Sequence, residues 1–242
     1  MFDAASWKAS WKGIFPIVSV PFQRGGALDY RSFLRTLEYL EKTPVSGMVL
    51  FGIASEFYKL SAGEEDALLG IYASFPTAKK KIASITDHAT FLARHKAQAY
   101  QDLGLDGLML LAPFFLSPSK SDILEHIQAV ASAVQIPVIV QIAAQETGIR
   151  YSLEELSALR EQFPHLAFKI EGSPLPASLI QTLRTYDALI FNGYAGKHML
   201  EALDLGCSGI MPGCSFTEVY SQIYSAYGSS LENANDKAKR LH

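Results

Sequence analysis

The chain has 242 residues, 49% hydrophobic and 19% charged, an ordinary globular composition with material for one large core or two small ones. A net charge of −3 gives no case for nucleic acid or an anionic membrane as partner, and no apolar stretch reaches membrane-spanning length. Two cysteines, Cys207 and Cys214, fit neither a disulfide framework nor a metal site and point to a reducing, cytoplasmic setting, and residues 1–12 lack the apolar core of a signal peptide.

Trp7 and Trp11, four apart, predict a short amphipathic piece lying against the body of the protein. A strand is expected at 13–20, then a helix at 30–41 with Phe33, Leu34, Leu37 and Leu40 on one face. Strand 47–51 is followed by a helix at 63–75, introduced by the capping box Ser61-Ala62-Gly63-Glu64. The basic run Lys79-Lys80-Lys81 reads as a solvated turn before strand 81–86 and helix 91–103. Strand 107–111, helix 121–134, strand 137–142 and helix 153–162 follow, the last with its own capping box, Ser152-Leu153-Glu154-Glu155. Strand 167–170, helix 175–185, strand 188–191, helix 197–205, strand 209–211 and helix 216–227 complete the series. Tyr220, Tyr224 and Tyr227 recur at helical spacing in the last helix and read as a core or subunit-contact stripe.

The strands are short, apolar on consecutive residues and bounded by Gly or Pro, the pattern of a parallel sheet covered by helices. Eight strand–helix units without a linker predict one α/β domain, a (β/α)8 TIM barrel over about 13–227. An open doubly wound sheet is the alternative, but Ser19-Val20-Pro21-Phe22 is not the Gly-rich fingerprint that usually follows its first strand.

In such a barrel the chemistry sits at the C-terminal ends of the strands. Lys169 lies there, inside the apolar run Leu166-Ala167-Phe168-Lys169-Ile170-Glu171. Burial disfavours the charged form of an amine, and a neutral amine is a nucleophile able to form a Schiff base with a ketone. Alone, such a lysine reads more readily as a strand-end ammonium that snorkels to solvent or pairs with Glu171. The turn Gly52-Ile53-Ala54-Ser55-Glu56 offers successive backbone N–H groups for a carboxylate, with the Ser55 hydroxyl as a further donor. The loop Ala112-Pro113-Phe114-Phe115-Leu116-Ser117-Pro118-Ser119 reads as an apolar pocket wall or as loop packing. His88 follows strand three and His95 and His126 lie on helices; none has metal-ligand spacing, so no metal is expected.

Taken in order, Pro21-Phe22, the Gly-x-x-x-Glu turn, the Pro-aromatic-aromatic-x-x-Pro-Ser loop, Thr147-Gly148 and the Lys169 strand resemble the dihydrodipicolinate synthase / N-acetylneuraminate lyase family of class I Schiff-base lyases. The resemblance runs from about residue 13 to about 227. Asn192-Gly193-Tyr194-Ala195-Gly196 and the segment from Gly206 through Met211-Pro212-Gly213 look like a divergent, synthase-like branch rather than the lysine-pathway enzymes. The resemblance implies a TIM barrel, commonly a homo-oligomer (dimer or tetramer), with no metal or organic cofactor. It implies that Lys169 condenses with pyruvate or a related 2-oxo acid, and that the turn of Gly52, Ile53, Ala54 and Ser55 holds the carboxylate. It also puts Phe115, Glu146, Gly193 and Met211 among the substrate-binding positions.

The departures from the family pattern concern proton transfer. Ile53 and Ala54 stand where the lysine-pathway enzymes have two threonines, and Phe115 stands where a tyrosine is usual. In the register set by Thr147-Gly148, Gln141 takes the place of the strand-five tyrosine, and a glutamine cannot titrate. Glu146 replaces an arginine that would clamp a second carboxylate, so a dicarboxylate product is disfavoured. Glu56, Glu171 and Glu146 are the candidate acid/base replacements, and Lys197 is a candidate grip for a polar or anionic substrate tail. Two functions remain from the sequence: an aldolase or dehydratase acting on a 2-oxo acid such as a 2-keto-3-deoxy sugar acid, or a barrel that has lost its chemistry and binds a 2-oxo acid as sensor or scaffold. Relatives continue past the barrel with extra helices, and the polar residues 228–242 read as the start of a shortened extension.

Overall fold

The computed structural model describes residues 4–228; the expected start of a C-terminal extension at 228–242 lies outside them apart from Gly228. Among the described residues, eight parallel strands pair in the order β1-β8-β7-β6-β5-β4-β3-β2. They are β1 (Gly13–Ile14), β2 (Gly47–Leu50), β3 (Lys80–Ile85), β4 (Gly107–Leu110), β5 (Val138–Ile142), β6 (Leu166–Ile170), β7 (Leu189–Asn192) and β8 (Gly209–Ile210). The ring closes where Ile17 bridges both Val49 and Gly213, giving the (β/α)8 barrel. The first strand is shorter than the expected 13–20. Pro16 has no N–H to give to a ladder, so beyond Ile14 the segment pairs residue by residue, through Phe15 N–H to Ile210, Ile17 N–H to Pro212 and Val18 N–H to Val49.

A first helix, α1 (Ala4–Ser10), precedes β1, and helices cover the outside: α2 (Tyr30–Lys42), α3 (Ala62–Ser74), α4 (Thr90–Asp102), α5 (Lys120–Ser132), the short α6 (Ala144–Thr147), α7 (Leu153–Gln162), α8 (Ala177–Thr185), α9 (Met199–Asp204) and α10 (Thr217–Gly228). Both expected capping boxes form. Ser61 and Glu64 exchange side-chain and backbone bonds at the start of α3, as do Ser152 and Glu155 at the start of α7. The tyrosine stripe of α10 ties that helix to the barrel: Tyr220 donates to the Ala195 carbonyl, Tyr224 to the Ser208 carbonyl and Tyr227 to the Asp204 carboxylate. No helix of the described residues is long and apolar enough to cross a membrane.

Strand residues alternate between two apolar layers. Met48, Leu50, Leu108, Leu110, Val138 and Phe168 face the helices, whereas Val49, Ile82, Met109, Ile139, Ala167 and Phe191 fill the barrel interior. Trp7 and Trp11 belong to the interior group. The N-terminal piece lies against the body of the protein as expected, at the floor of the barrel, through ring contacts running Trp7–Trp11 (5.9 Å), Trp11–Phe15 (5.9 Å) and Phe15–Phe191 (5.4 Å). Gly107, at the start of β4, makes room for this piece: a Cβ there would stand 2.4 Å from the Trp11 ring. With the floor closed by indole rings, the open end is the one at which the strands finish.

Candidate active site

Lys169 lies on β6 in register with Gln141 of β5 and Phe191 of β7, so all three side chains point to the barrel axis. It is 3% exposed, so it does not snorkel to solvent. Glu171, two residues on, falls on the same face. Its Oε1 lies 2.7 Å from Lys169 Nζ and accepts a 2.9 Å hydrogen bond from Gln141 Nε2. Its Oε2 accepts from the backbone N–H of Tyr194. Burial pushes the Glu171 carboxyl up, but the Lys169 ammonium and the hydrogen bonds from Lys169, Tyr194 and Gln141 outweigh it and hold the group below the usual carboxylate range. At neutral pH the site therefore contains a carboxylate paired with the lysine.

The loop after β7 is shaped around this carboxylate. A Cβ at Gly193 would fall 2.5 Å from the Glu171 carboxyl carbon, so only glycine leaves the space. Tyr194 and Ala195 then take positive φ values of 49° and 53°, which cost a residue with a Cβ about 1–2 kcal/mol each. Backbone strain of this kind marks positions that the surroundings over-determine.

A cavity of about 430 Å³ opens above the pair. Lys169, Glu171, Ile53, Ala54, Glu146 and Met211 line it, as do Ile17, Tyr194, Ala195, Lys197, Pro212 and Gly213. In the turn after β2, the Ser55 and Glu56 N–H groups close onto the Gly52 and Ile53 carbonyls. The N–H groups of Ile53 and Ala54 come first in this 3₁₀ turn and have no acceptor within it. Gly52 packs against Ile17, where a Cβ would stand 2.7 Å from its Cγ2. Glu146 sits exposed on α6 at the rim. Lys197 stands 5.8 Å from the centre of the Tyr194 ring.

Three expected site residues are not brought together with Lys169 in the way the sequence reading had them. Glu56 adopts a left-handed conformation (φ 54°) that turns its side chain outward, where it pairs with Lys59 at 2.8 Å. Ser55 is buried and gives its proton to the Val18 carbonyl at 2.6 Å, so its hydroxyl is not a free donor for a substrate carboxylate. Phe115 is 67% exposed on a loop whose next residues, Leu116 and Ser117, have positive φ, and it packs beside His88 rather than lining the cavity. Gly193 lies in the site but touches Glu171, and its role is to admit that carboxylate. Tyr194 and Ile17 were not singled out by the sequence. The Gly at 193 was the only signal for the first, and the inward alternation with Phe15 the signal for the second. His126 is buried and bonded through Nδ1 to the Thr90 hydroxyl, away from this cavity. No group of three or more His, Cys, Asp or Glu side chains among the described residues comes together as a metal site.

The family model described as the dihydrodipicolinate synthetase family matches residues 10–242. The chain belongs to that family. Its similarity to individual members is low. The 4-hydroxy-tetrahydrodipicolinate synthase of Methanococcus maripaludis is 22% identical over 236 residues, covering 96% of this chain and 79% of that one. Among solved structures, a dihydrodipicolinate synthase from Bacillus anthracis superposes with a TM-score of 0.85 at 20% identity, covering 100% of this chain and 80% of that one. The N-acetylneuraminate lyase of Mycoplasma synoviae superposes with a TM-score of 0.82 at 20% identity, covering 96% and 79%. The structural likeness to both a synthase and a lyase gives this family member its barrel. Its own chemistry has to be read from Lys169 and its neighbours.

Proposed function

We propose that this family member is a class I, Schiff-base-forming lyase, an aldolase or dehydratase acting on pyruvate or a related 2-oxo acid such as a 2-keto-3-deoxy sugar acid. The observation that carries the reading is Lys169: an amine 3% exposed, at the inner end of a 430 Å³ cavity, with a carboxylate 2.7 Å away. A buried charge is costly to keep, and one that faces a cavity is a candidate for chemistry. The amine adds to the 2-oxo carbon, and the iminium that follows loss of water withdraws electrons from the neighbouring carbon. The open N–H groups of Ile53 and Ala54 are suited to the substrate carboxylate. Glu146 on the same cavity disfavours a second carboxylate, which argues against efficient dihydrodipicolinate synthesis.

The test is borohydride trapping. The protein is incubated with pyruvate, then with a panel of 2-keto-3-deoxy acids, reduced and weighed intact. The expected result is a mass gain of the reduced adduct, mapped to Lys169 and absent from Lys169→Ala. Absence of any adduct from folded protein would point instead to a barrel that binds without turnover. Normal turnover of pyruvate with aspartate semialdehyde would refute the argument from Glu146.

A further inference from the structure

We propose that Glu171 is the acid/base residue of imine formation: it takes the proton of Lys169 and delivers it to the oxygen that leaves the 2-oxo carbon. This rests on the Schiff-base reading above and deepens it. Forming an iminium requires four proton movements between the amine and the departing oxygen, and the family's strand-five position cannot supply them here because Gln141 does not titrate. Glu171 Oε1 is 2.7 Å from Lys169 Nζ, within reach for direct transfer, and Glu171 lines the cavity in which the ketone must lie. The other carboxylates lack this geometry. Glu56 is paired with Lys59 outside the cavity, and Glu146 is on the exposed rim with no contact to Lys169 among those the structure shows.

The balance is as follows. Lys169 ammonium gives a proton to the Glu171 carboxylate, leaving a neutral amine and a carboxylic acid. The amine lone pair forms the C–N bond, the carbonyl π electrons move to oxygen, and Glu171 protonates that oxygen. Glu171 then removes one proton from the nitrogen, giving the neutral carbinolamine. It returns this proton to the hydroxyl as the C–O bond breaks, releasing water and the iminium. Glu171 ends ionised, as it began, beside a cation that replaces the ammonium. Gln141 and the Tyr194 N–H are positioning groups in this scheme: Gln141 Nε2 donates to Oε1 at 2.9 Å and the Tyr194 N–H to Oε2, holding the carboxylate against Nζ without carrying protons themselves.

The experiment is rapid-quench borohydride trapping with pyruvate, on wild type, Glu171→Gln and Glu171→Ala, with thermal unfolding to establish that each is folded. The expected result is adduct formation in wild type and a rate lower by about 10²–10⁴-fold in Glu171→Gln, the usual contribution of a positioned proton donor and acceptor. Formate added to Glu171→Ala should restore part of the rate in a saturable manner, and either variant suffices if the other fails to fold. A purely structural counter-ion predicts the opposite. A buried amine without its carboxylate favours the neutral, nucleophilic form, so adduct would form as fast as in wild type or faster. An unslowed Glu171→Gln, or a slowed Glu171→Ala that formate does not rescue, overturns the proposal while wild-type adduct leaves the Schiff-base reading standing. No adduct in wild type overturns both.

Discussion

Gly193 gives the most direct check on the arrangement, because one methyl group there acts on the site without touching Lys169, Gln141 or Glu171 chemically. In Gly193→Ala the new Cβ would stand 2.5 Å from the Glu171 carboxyl carbon and from Oε2, and 2.6 Å from Oε1. Ordinary carbon contacts lie near 3.5–4.0 Å, so the carboxylate has to withdraw by about 1 Å. Such a move takes the 2.7 Å contact to Lys169 out of hydrogen-bond range and loosens the bonds from Gln141 and the Tyr194 N–H. Losing one hydrogen bond to a charged group costs about 1.5–3 kcal/mol. In a chain of this length that corresponds to a fall in Tm of very roughly 3–12 °C. The variant should therefore unfold earlier by calorimetry, and its adduct with pyruvate should form more slowly at a saturating ketone concentration. An unchanged Tm together with an unchanged trapping rate would refute the claim that glycine is present to seat the carboxylate.

Two further predictions concern the scaffold. Trp11→Ala removes the ring that closes the barrel floor against Gly107 and Phe15, and a substitution of this size in a core costs about 3–5 kcal/mol, readable as a lower urea midpoint with an unchanged m-value. His126 is pushed down to about 4 by burial, with Asp87 opposing and His88 adding to the shift. Its folded value lies below the unfolded 6.5, so the unfolded chain binds the proton first. Stability should be fully present above about pH 6.5 and decline as the pH falls from there toward 4, by on the order of 3 kcal/mol from this group. His126→Gln should flatten that part of the Tm-against-pH curve, and an identical slope in the variant would count against the assignment.

The barrel was legible because its signals are local: period and capping boxes place helices, and consecutive apolar residues place strands. The strand most shortened, β1, also has a local cause in Pro16, whose missing N–H the sequence displayed. At the site, Lys169 stood out as a charge inside an apolar run, and Gln141 was placed by the family resemblance through Thr147-Gly148; the parallel ladder sets the two side by side. What sequence could not give was the direction of side chains on turns. Glu56 and Glu171 are both glutamates just beyond strand ends. A left-handed φ sends the first outward, whereas continuation of the strand alternation keeps the second inward. The commitment of the Ser55 hydroxyl is hidden from the sequence for a different reason. Its proton goes to Val18, 37 residues away, and no spacing within the turn reveals that partner.

Gln141 on β5 and Glu171 just beyond β6 make sense together. A tyrosine hydroxyl both donates and accepts, so it can pass a proton without an accompanying carboxylate. A glutamine at the same register can hold a neighbour but cannot pass a proton, and here its Nε2 is committed to Glu171 Oε1. With two strained residues and an obligatory glycine in the loop after β7 directed at the other oxygen, three separate segments spend conformational freedom on one carboxylate. Burying an ion pair seldom stabilises a fold relative to apolar packing, so stability alone does not account for that convergence. A proton acceptor held against the amine does account for it, because proton transfer requires this closeness and this fixed orientation. In the proposed scheme Gln141 and Glu171 act as one unit: the amide positions and the acid transfers.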